Sequence, residues 1–393
     1  MERPDIADQV RAAEVVLPCP DLEATLGFFT GRLGFRVETI SPADDPRVAV
    51  VSGHGVRLRL ERGEAGAPGR LRLLCRDLAS LGGESTLTAP NGTRIELVEA
   101  EPAVALPPLA PSLVVSRLAG ARWGTGRAGM RYRDLLPDRQ GGRFIASHIQ
   151  ITDGGPVPDY VHFHRVRFQM IYCARGRVRV VYEDQGPPFD LEEGDAVLQP
   201  PGIRHRVLDS SAGLEVVEIG SPAAHETCAD HDLALPTAAV DHAREFGGQR
   251  FAHHRAAAAT WRPWRWSGLE ARDLGITEAT GGLAGARVAR PGRSAVVSVA
   301  SVHGGERGDR AGERGDRQEL AAHRGELLFG FVLRGQIALE CDGRATEPLA
   351  AGDAFAVPAG LAHRLAGWSA DLELLEVSLP AAIDTAAGPV TLP

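Results

Sequence analysis

Three histidines have a spacing that could bring their rings together. His162 and His164 are alternate residues of an apolar, β-rich run, and alternate residues of a strand face the same side. A Pro-x-Gly turn then brings His205 to the same interior. Three neutral imidazoles converging in a polar pocket suit iron, zinc, copper, nickel or manganese, with positions left for substrate or water. The pattern predicts a transition-metal site.

Gln169 is expected beside the three imidazoles. It follows His164 on the next antiparallel strand, after a turn, and we predict it as the fourth member of the metal site. An amide adds no negative charge, so a bound divalent cation would keep its full charge. That charge favours an anionic substrate that chelates the metal.

Two further residues share the strand parity of this site. Tyr160 has the parity of both nearby histidines, and we predict it as the catalytic residue, acting as acid, base or hydrogen-bond donor; an aromatic at the mouth of the pocket is the alternative. Cys173 has the parity of Gln169 and is interpreted as a packing residue, since nothing marks its thiol as activated.

Three arginines lie close to the histidines in sequence. Arg167, Arg204 and Arg206 could help to hold a substrate carboxylate, although strand parity points some of them outward.

The elements that carry these residues are short strands, and they are repeated. Residues 194–205 (GDAVLQPPGIRH) return as 352–363 (GDAFAVPAGLAH), and 214–219 (LEVVEI) return as 372–377 (LELLEV). One β-domain has therefore been duplicated in tandem. Short β-rich runs separated by Gly, Pro and Asp turns favour barrels or sandwiches over a βαβ sheet.

The second copy keeps only part of the metal site. Two of the four positions are lost, to Ala321 and Leu328, and two histidines are kept, His323 and His363. Tight metal binding there would need Glu326 or another group out of register, so a structural barrel is expected, with a second, weaker site left open.

Residues 162–205 resemble the cupin superfamily. Its motifs are His-x-His followed by an acid, and Gly-x5-Pro-x-Gly-x2-His. The residues that carry the resemblance are His162, His164, Gln169, Gly176, Gly194, Pro200, Gly202 and His205. Gln169 departs from the pattern, which has glutamate there. The resemblance implies a mainly β fold with two tandem cupin barrels of the double-stranded β-helix, or jelly-roll, type.

The resemblance also implies a reaction class. Cupins with three histidines are often dioxygenases, so we expect a non-haem Fe(II) dioxygenase acting on a small anionic chelating substrate, with Zn, Mn, Ni or Cu as alternative metals. Two alternatives stay open, because a fold does not fix a function. One is a metal-dependent isomerase, epimerase or lyase in which Tyr160 moves the proton, and the other is a non-catalytic bicupin that binds a small molecule.

The N-terminal segment, over residues 13–100, resembles the glyoxalase or vicinal-oxygen-chelate (VOC) family as a small α+β module. The residues that carry this resemblance are Asp21, Leu22, Phe28, Phe29, Leu33, Gly34, Phe35 and the segment 90–97 (PNGTRIEL). The expected elements are a strand at Glu14–Pro18, a helix at Leu22–Leu33, and strands near Arg36, Arg47, Val56, Leu71 and Arg94.

The VOC resemblance carries a minor metal hypothesis. It maps family ligands onto Glu14 and Glu96, but the remaining ligand positions fall near Arg59 and Arg70, which cannot bind a cation. We therefore expect a degenerate module used for packing, dimerisation or substrate covering.

Proline and composition divide the rest of the chain. The proline-rich stretch at 102–111 is interpreted as a linker, which gives a VOC-like domain at 1–105, a metal-binding cupin domain at 106–235 and a degenerate cupin domain at 236–393. Trp261, Trp264 and Trp266, between the copies, are expected at a domain interface. The charged segment Gly304–Arg317 is expected to be a solvated loop.

Composition excludes several classes of function. The 393 residues contain no lysine, which excludes Schiff-base and pyridoxal phosphate chemistry and a P-loop. A net charge of -8 argues against nucleic acid as a partner, and no run is apolar enough for a membrane span. Five scattered cysteines favour reduced thiols, and the absence of a secretory signal favours the cytoplasm. A homodimer is expected, because cupins commonly pair through barrel edges.

Overall fold

Strands form most of this protein. The computed structural model describes residues 10–19, 21–32, 35–53, 56–62, 70–81, 85–88, 94–292, 319–383 and 385–387. The segment Gly304–Arg317 lies outside these residues. No helix in the described part of the chain is long and apolar enough to cross a bilayer.

The N-terminal module is one sheet with a short helix against it. Its elements are β1 (Val10–Cys19), α1 (Leu22–Gly27) with a π-helical turn (Phe28–Arg32), β2 (Arg36–Ser41), β3 (Val48–Gly53), β4 (Val56–Arg62), β5 (Arg70–Cys75), a 3-10 turn (Ala79–Leu81), β6 (Thr86–Thr88) and β7 (Arg94–Glu99). The predicted strands are confirmed, and β6 is an addition. The order β2-β3-β4-β1-β5-β7-β6 places β1 parallel to β4 and antiparallel to β5.

Arginine side chains neutralise the carboxylates that the VOC resemblance maps to metal ligands. Glu14 is buried and lies 3.3 Å from Nε of Arg57 and 3.5 Å from Nη1 of Arg72. Arg72 stands between Glu14 and Glu96 in the strand register, with its Nε 3.9 Å from Glu96. Arg59 pairs with Glu61 at 2.6 Å. Glu14 and Glu96 thus lie in a row of ion pairs within the sheet.

The first barrel follows the linker. Its region contains β8 (Val114–Ser116), β9 (Gly124–Thr125), a 3-10 turn (Arg127–Gly129), β10 (Arg131–Asp134), β11 (Ile145–Ile151), β12 (Gly155–Pro156), β13 (His162–His164), β14 (Phe168–Arg175), β15 (Arg177–Tyr182), β16 (Phe189–Glu192), β17 (Ala196–Leu198), β18 (His205–Ser210), β19 (Leu214–Ser221) and β20 (Thr227–Ala229). One sheet runs β16-β15-β18-β13-β20 and the facing sheet β17-β14-β19-β11-β10-β9. Because β20 also pairs with β2, the first sheet continues into the N-terminal module.

The second barrel repeats this plan. Its region contains β21 (Glu245–Phe246), β22 (Gln249–Arg250), β23 (Ala252–His254), a 3-10 turn (Ala256–Ala258), β24 (Arg262–Pro263), β25 (Leu269–Asp273), α2 (Ile276–Ala279), β26 (Gly285–Pro291), β27 (Ala321–His323), β28 (Leu327–Arg334), β29 (Gln336–Cys341), β30 (Glu347–Ala350), β31 (Ala354–Ala356), β32 (His363–Ala366), β33 (Glu373–Leu379) and β34 (Thr385–Ala387). The pairing of Ala321 with His363 repeats that of His162 with His205. The duplication read from the sequence is visible in the strand register.

The two barrels exchange strands. Strand β8 precedes the first barrel but pairs with β31 of the second, and β23 follows the first barrel and pairs with its β17. Strand β8 thus lies between the predicted boundaries at residues 105 and 235 but pairs with the second barrel, and β23 lies after residue 235 but pairs with the first.

A shared apolar core joins the barrels. Phe168 and Met170 of the first pack in one cluster with Phe329 and Val377 of the second. Trp261 packs against this cluster, as expected for an interface residue. Trp266 is also expected at the interface between the domains, and for this residue the expectation is wrong. Its side chain is 2% exposed inside the second barrel, with its ring 5.9 Å from that of His363. The segment before β25 turns it inward, against the core of that barrel.

Candidate metal centre

The three predicted histidines meet inside the first barrel. His162 and His164 are the first and last residues of β13, so their side chains leave the strand on the same face. His205 opens β18, and the strand register sets it opposite His162. One nitrogen from each of the three rings lies within 4.8 Å of the others, and all three residues are buried. The structure brings together the three imidazoles that the spacing predicts.

Hydrogen bonds orient these rings from behind. Nδ1 of His162 lies 2.8 Å from the carbonyl of Tyr160, and Nδ1 of His205 lies 3.0 Å from that of Ile203. Since a carbonyl only accepts, each Nδ1 donates and each Nε2 keeps a lone pair. Oγ1 of Thr227 lies 3.2 Å from Nδ1 of His164. Such contacts fix the tautomer and orientation of a metal-binding histidine.

Burial keeps the three imidazoles neutral. It lowers the pKa of His162 and of His164 well below the usual value, and it lowers the pKa of His205 to about 4. The positive charge of Arg127 lowers the pKa of His162 further. Neutral imidazole is the form that binds a metal, so no proton has to leave these rings at neutral pH.

Gln169 lies at this site with one free oxygen. Its Nε2 donates to Oε1 of Glu218 at 2.6 Å, and no donor among the described residues reaches its buried Oε1. Burial raises the pKa of the Glu218 carboxyl. A buried amide oxygen without a donor is a suitable ligand for a cation, so the donor set fits a divalent metal.

A buried guanidinium stands against the histidines. Nη2 of Arg127 lies 3.0 Å from Nε2 of His162, and Nη1 pairs with Asp159. Asp159 also accepts from the backbone N–H of Val207 at 2.9 Å, which ties the ion pair to β18. Arg127 donates to the His162 nitrogen that a metal would use, so metal binding through that nitrogen requires this guanidinium to move.

The histidines open into a cavity of about 110 Å³ inside the barrel. Tyr132, Tyr182 and His225 are among the residues that line it. Asp44, from the loop between β2 and β3 of the N-terminal module, lines it as well. The cavity is therefore bounded by two structural units.

Tyr160 precedes strand β13, which begins at His162. Its carbonyl holds the ring of His162, and its own ring lies 6.0 Å from that ring and 5.8 Å from the guanidinium carbon of Arg127. Its side chain is not among the described residues that line the cavity, and its catalytic role stays a prediction. Cys173 lies in the hydrophobic core beyond the site, where burial raises the pKa of its thiol to about 12, so it is a packing residue.

The arginines close in sequence are occupied elsewhere. Arg167 forms a bidentate pair with Glu326, at 2.9 and 3.0 Å. Arg204 stacks on Phe163 and pairs with Asp230. Among the described residues that line the cavity, the arginine is Arg127. It precedes the barrel motifs by more than thirty residues and belongs to no motif of its own.

The second barrel holds no comparable arrangement in the described part of the chain. His323 uses both ring nitrogens, because Nε2 donates to the carbonyl of Val357 at 2.9 Å and Nδ1 accepts from the N–H of Gly325 at 3.1 Å. Glu326, considered as an extra ligand, turns to the first barrel. The carboxylate of Glu376, at the repeat position of Glu218, pairs with Arg265.

Two segments of the chain match the profile of a known protein family. The profile of the cupin domain matches residues 148–220 and 312–378. No curated protein matches the sequence significantly. Among solved structures, the chain is similar to the oxalate decarboxylase of Lactobacillus farciminis in complex with formate, with 12% identity, a TM-score of 0.49 and coverage of 70% of this chain and 89% of that chain. A mutant of the Bacillus subtilis oxalate decarboxylase gives 12% identity, a TM-score of 0.47 and coverage of 72% and 80%.

The two matched segments enclose equivalent parts of the two barrels, and the first includes all three clustered histidines. The fold is mainly β, with two barrels in tandem, each of which contains a segment that matches the cupin profile, and the first barrel holds the three-histidine cluster.

Proposed function

We propose that this chain is a metal-dependent enzyme, with non-haem Fe(II) dioxygenase chemistry on a small anionic chelating substrate. The observation that supports this most is the convergence of three neutral imidazoles within 4.8 Å at the wall of a cavity of about 110 Å³. A buried cluster of unprotonated nitrogens next to an internal cavity combines a cation site with room for a small molecule.

In this proposal His162, His164 and His205 would hold the metal, with the Oε1 of Gln169 beside them. When bound, the metal would supply a Lewis acid and, as Fe(II), the redox chemistry that O2 requires. Zn, Mn, Ni and Cu also suit a neutral set of nitrogen ligands. The donor set carries no negative charge of its own, which supports the choice of an anionic substrate.

The surrounding residues would orient the substrate and exclude water. Arg127 supplies a positive charge next to His162, kept close by its ion pair with Asp159. The hydroxyl of Tyr182 accepts from Nε2 of Gln199 at 2.8 Å, so its own proton is available to a substrate oxygen. The Tyr182 hydroxyl is oriented before substrate arrives, which reduces the cost of ordering it in the reaction.

A redox-neutral isomerase, epimerase or lyase is the second candidate. It is favoured by Tyr132, Tyr182 and Glu218, which line the cavity and carry groups that transfer protons. Tyr160 is the residue expected to move the proton in this reaction. In both candidate reactions its carbonyl would orient the ring of His162. Oxygen consumption by the Fe(II)-loaded protein with candidate acids separates the two chemistries.

The first test is metal analysis of a matched pair of variants. His205 and His363 occupy the same position of the repeated motif, one in each barrel. We expect about one metal ion per chain in the parent and in His363→Ala, and loss of most of that metal in His205→Ala, because among the described residues it is the first barrel that gathers three histidine rings.

Two results would contradict the proposal. Retention of the metal by His205→Ala, or equal loss in both variants, would mean that the histidine cluster is not the metal site. Circular dichroism of both variants serves as the control for folding.

A further inference from the structure

The cavity of the first barrel has one polar end and one aliphatic end. Glu218 of β19 lies level with Ser147 of β11, and Tyr182 of β15 lies level with His205 of β18. These polar residues surround the metal site. Further along the same strands, the residues that line the cavity are Ile149, Ile151, Val178, Val180, Leu214 and Val216.

The strand register shows that these aliphatic side chains form layers. Ile149 pairs with Val216, and Ile151 pairs with Leu214, each pair two residues further from Glu218 than the last. On the opposite sheet Val180 pairs with Val207. The walls beyond the metal site are therefore mainly aliphatic on both sheets, with Tyr132 of β10 level with Ile149. A ligand that reaches from the histidines into the barrel meets mostly hydrocarbon there.

The cationic side chain of the described cavity lining lies at the polar end. It is the guanidinium of Arg127, which contacts His162 directly, and the lining carboxyl groups are those of Asp44 and Glu218. One carboxylate of a ligand can pair with this cation next to the metal site. A second carboxylate at the aliphatic end would lose its hydration and gain at most the hydroxyl of Tyr132 as a donor, which is unfavourable.

We propose that the substrate is a monocarboxylic acid with a chelating oxygen next to its carboxylate and a compact aliphatic or aromatic body. This inference rests on the proposed function, because it assumes that the acid reaches the metal. The carboxylate and its neighbouring oxygen occupy the polar end beside Arg127, and the apolar body fills the aliphatic layers. The cavity of about 110 Å³ limits that body to a few carbon atoms or one ring.

The experiment measures binding of three acids that share one chelating head. Isothermal titration of the Zn²⁺-loaded protein with pyruvate, 4-methyl-2-oxopentanoate and 2-oxoglutarate avoids turnover. Each buried methylene contributes about fourfold in affinity, so we expect 4-methyl-2-oxopentanoate to bind at least tenfold more tightly than pyruvate. 2-Oxoglutarate, with its distal carboxylate, is expected to bind no more tightly than pyruvate.

A cavity-filling variant tests where the apolar body lies. Val216→Phe is expected to reduce the preference for 4-methyl-2-oxopentanoate over pyruvate at least tenfold, since the new ring occupies the aliphatic layer. The matched control is Val240→Phe, at an exposed position of the surface, which should keep the preference of the parent. Metal content of each variant reports whether the histidine site has folded, and the titration of the parent stands without either variant.

The outcomes separate this inference from the proposed function. Equal affinity for the three acids, or tightest binding of 2-oxoglutarate, would overturn the assigned substrate class while leaving chelation at the metal intact. If none of the acids binds the Zn²⁺-loaded protein but the metal itself is retained, chelation by the substrate is wrong and the inference falls with it.

Discussion

At the scale of single residues, Arg127 is the side chain that competes with a metal for His162. Its Nη2 donates to the same His162 nitrogen that a metal would need, and Asp159 keeps the guanidinium close. A cation and this guanidinium therefore compete for one lone pair and repel each other at short range. The arginine weakens metal binding and, once displaced, provides a charge for an anion.

We expect Arg127→Met to raise affinity for a divalent metal by roughly tenfold or more, because the substitution frees Nε2 of His162 and removes a nearby positive charge. Affinity for an acid such as pyruvate should fall in the same variant, since its counter-charge is lost. Competition titration against a chromophoric chelator measures the first effect. Arg177→Met, at a surface ion pair with Asp190, is the control. An unchanged or weaker metal affinity in Arg127→Met would contradict the competition.

The sequence predicts the three histidines and Gln169 of this site, but it does not predict Arg127 or Glu218. His162, His164 and His205 lie in motifs whose strand and turn geometry alone brings them together. Arg127 and Glu218 come from other segments, and no local pattern says that they point into the same cavity. The repeat does single out Glu218, because the second copy keeps a glutamate at the same position, Glu376. It does not show that Glu218 contacts Gln169.

At the scale of elements, the repeated Gly-Asp dipeptide anchors the exchanged strands. Oδ1 of Asp195 accepts from the N–H of Ala256, just after β23, at 2.7 Å. Oδ1 of Asp353 accepts from the N–H of Leu118, just after β8, at 2.8 Å. The aspartate at the same motif position thus accepts a hydrogen bond, in each barrel, from the residues that follow the exchanged strand.

Replacing either aspartate by alanine leaves a backbone N–H without its acceptor, so we expect Asp195→Ala and Asp353→Ala each to cost about 1–3 kcal/mol of unfolding free energy. Urea denaturation measures this loss. Asp153→Ala, at an exposed position, should change stability by less than about 0.5 kcal/mol. Effects of all three variants within that smaller range would show that the aspartates do not fasten the strands.

The sequence predicts both barrels, because a duplicated motif with turn residues at fixed positions specifies the same strands twice. Gly202 and Gly360, with φ of 80° and 82°, occupy the same turn in the two copies, a conformation that glycine adopts without strain. The exchange of β8 and β23 is not predictable in this way. Each has three residues, too few for a periodicity, and their pairing depends on the arrangement of whole barrels.

At the scale of the whole molecule, an ion pair links the barrels. Arg167 holds Glu326 in a bidentate contact, and Nε of Arg143 lies 3.3 Å from the same carboxylate. The hydrogen bond from Arg167 lowers the pKa of Glu326 below its usual 4.5, with the charges of both arginines adding to this effect. The Glu326 carboxyl group therefore stays ionised to a lower pH in the folded protein than in the unfolded chain.

A carboxyl group with a lowered pKa stabilises the folded state above its unfolded pKa, and this contribution disappears as pH falls through the folded pKa. Glu326→Gln should therefore cost about 1 kcal/mol at pH 7, and the difference from the parent should shrink as pH falls below 4.5 and vanish below the lowered pKa of the folded state. Urea denaturation at several pH values tests this prediction, with Glu193→Gln, at an exposed ion pair, as the comparison. A difference that persists in acid would rule out an electrostatic origin.

The strand exchange makes each barrel depend on a segment outside it for one sheet edge. The second barrel completes a sheet with β8, which precedes the first barrel in sequence, and the first barrel completes a sheet with β23, which lies between the two barrels. Deletion of residues 236–393 would leave β8 without its partner β31 and remove β23 from the edge of β17, exposing backbone N–H and C=O groups that invite aggregation. A first barrel produced alone would therefore carry open strand edges at both places.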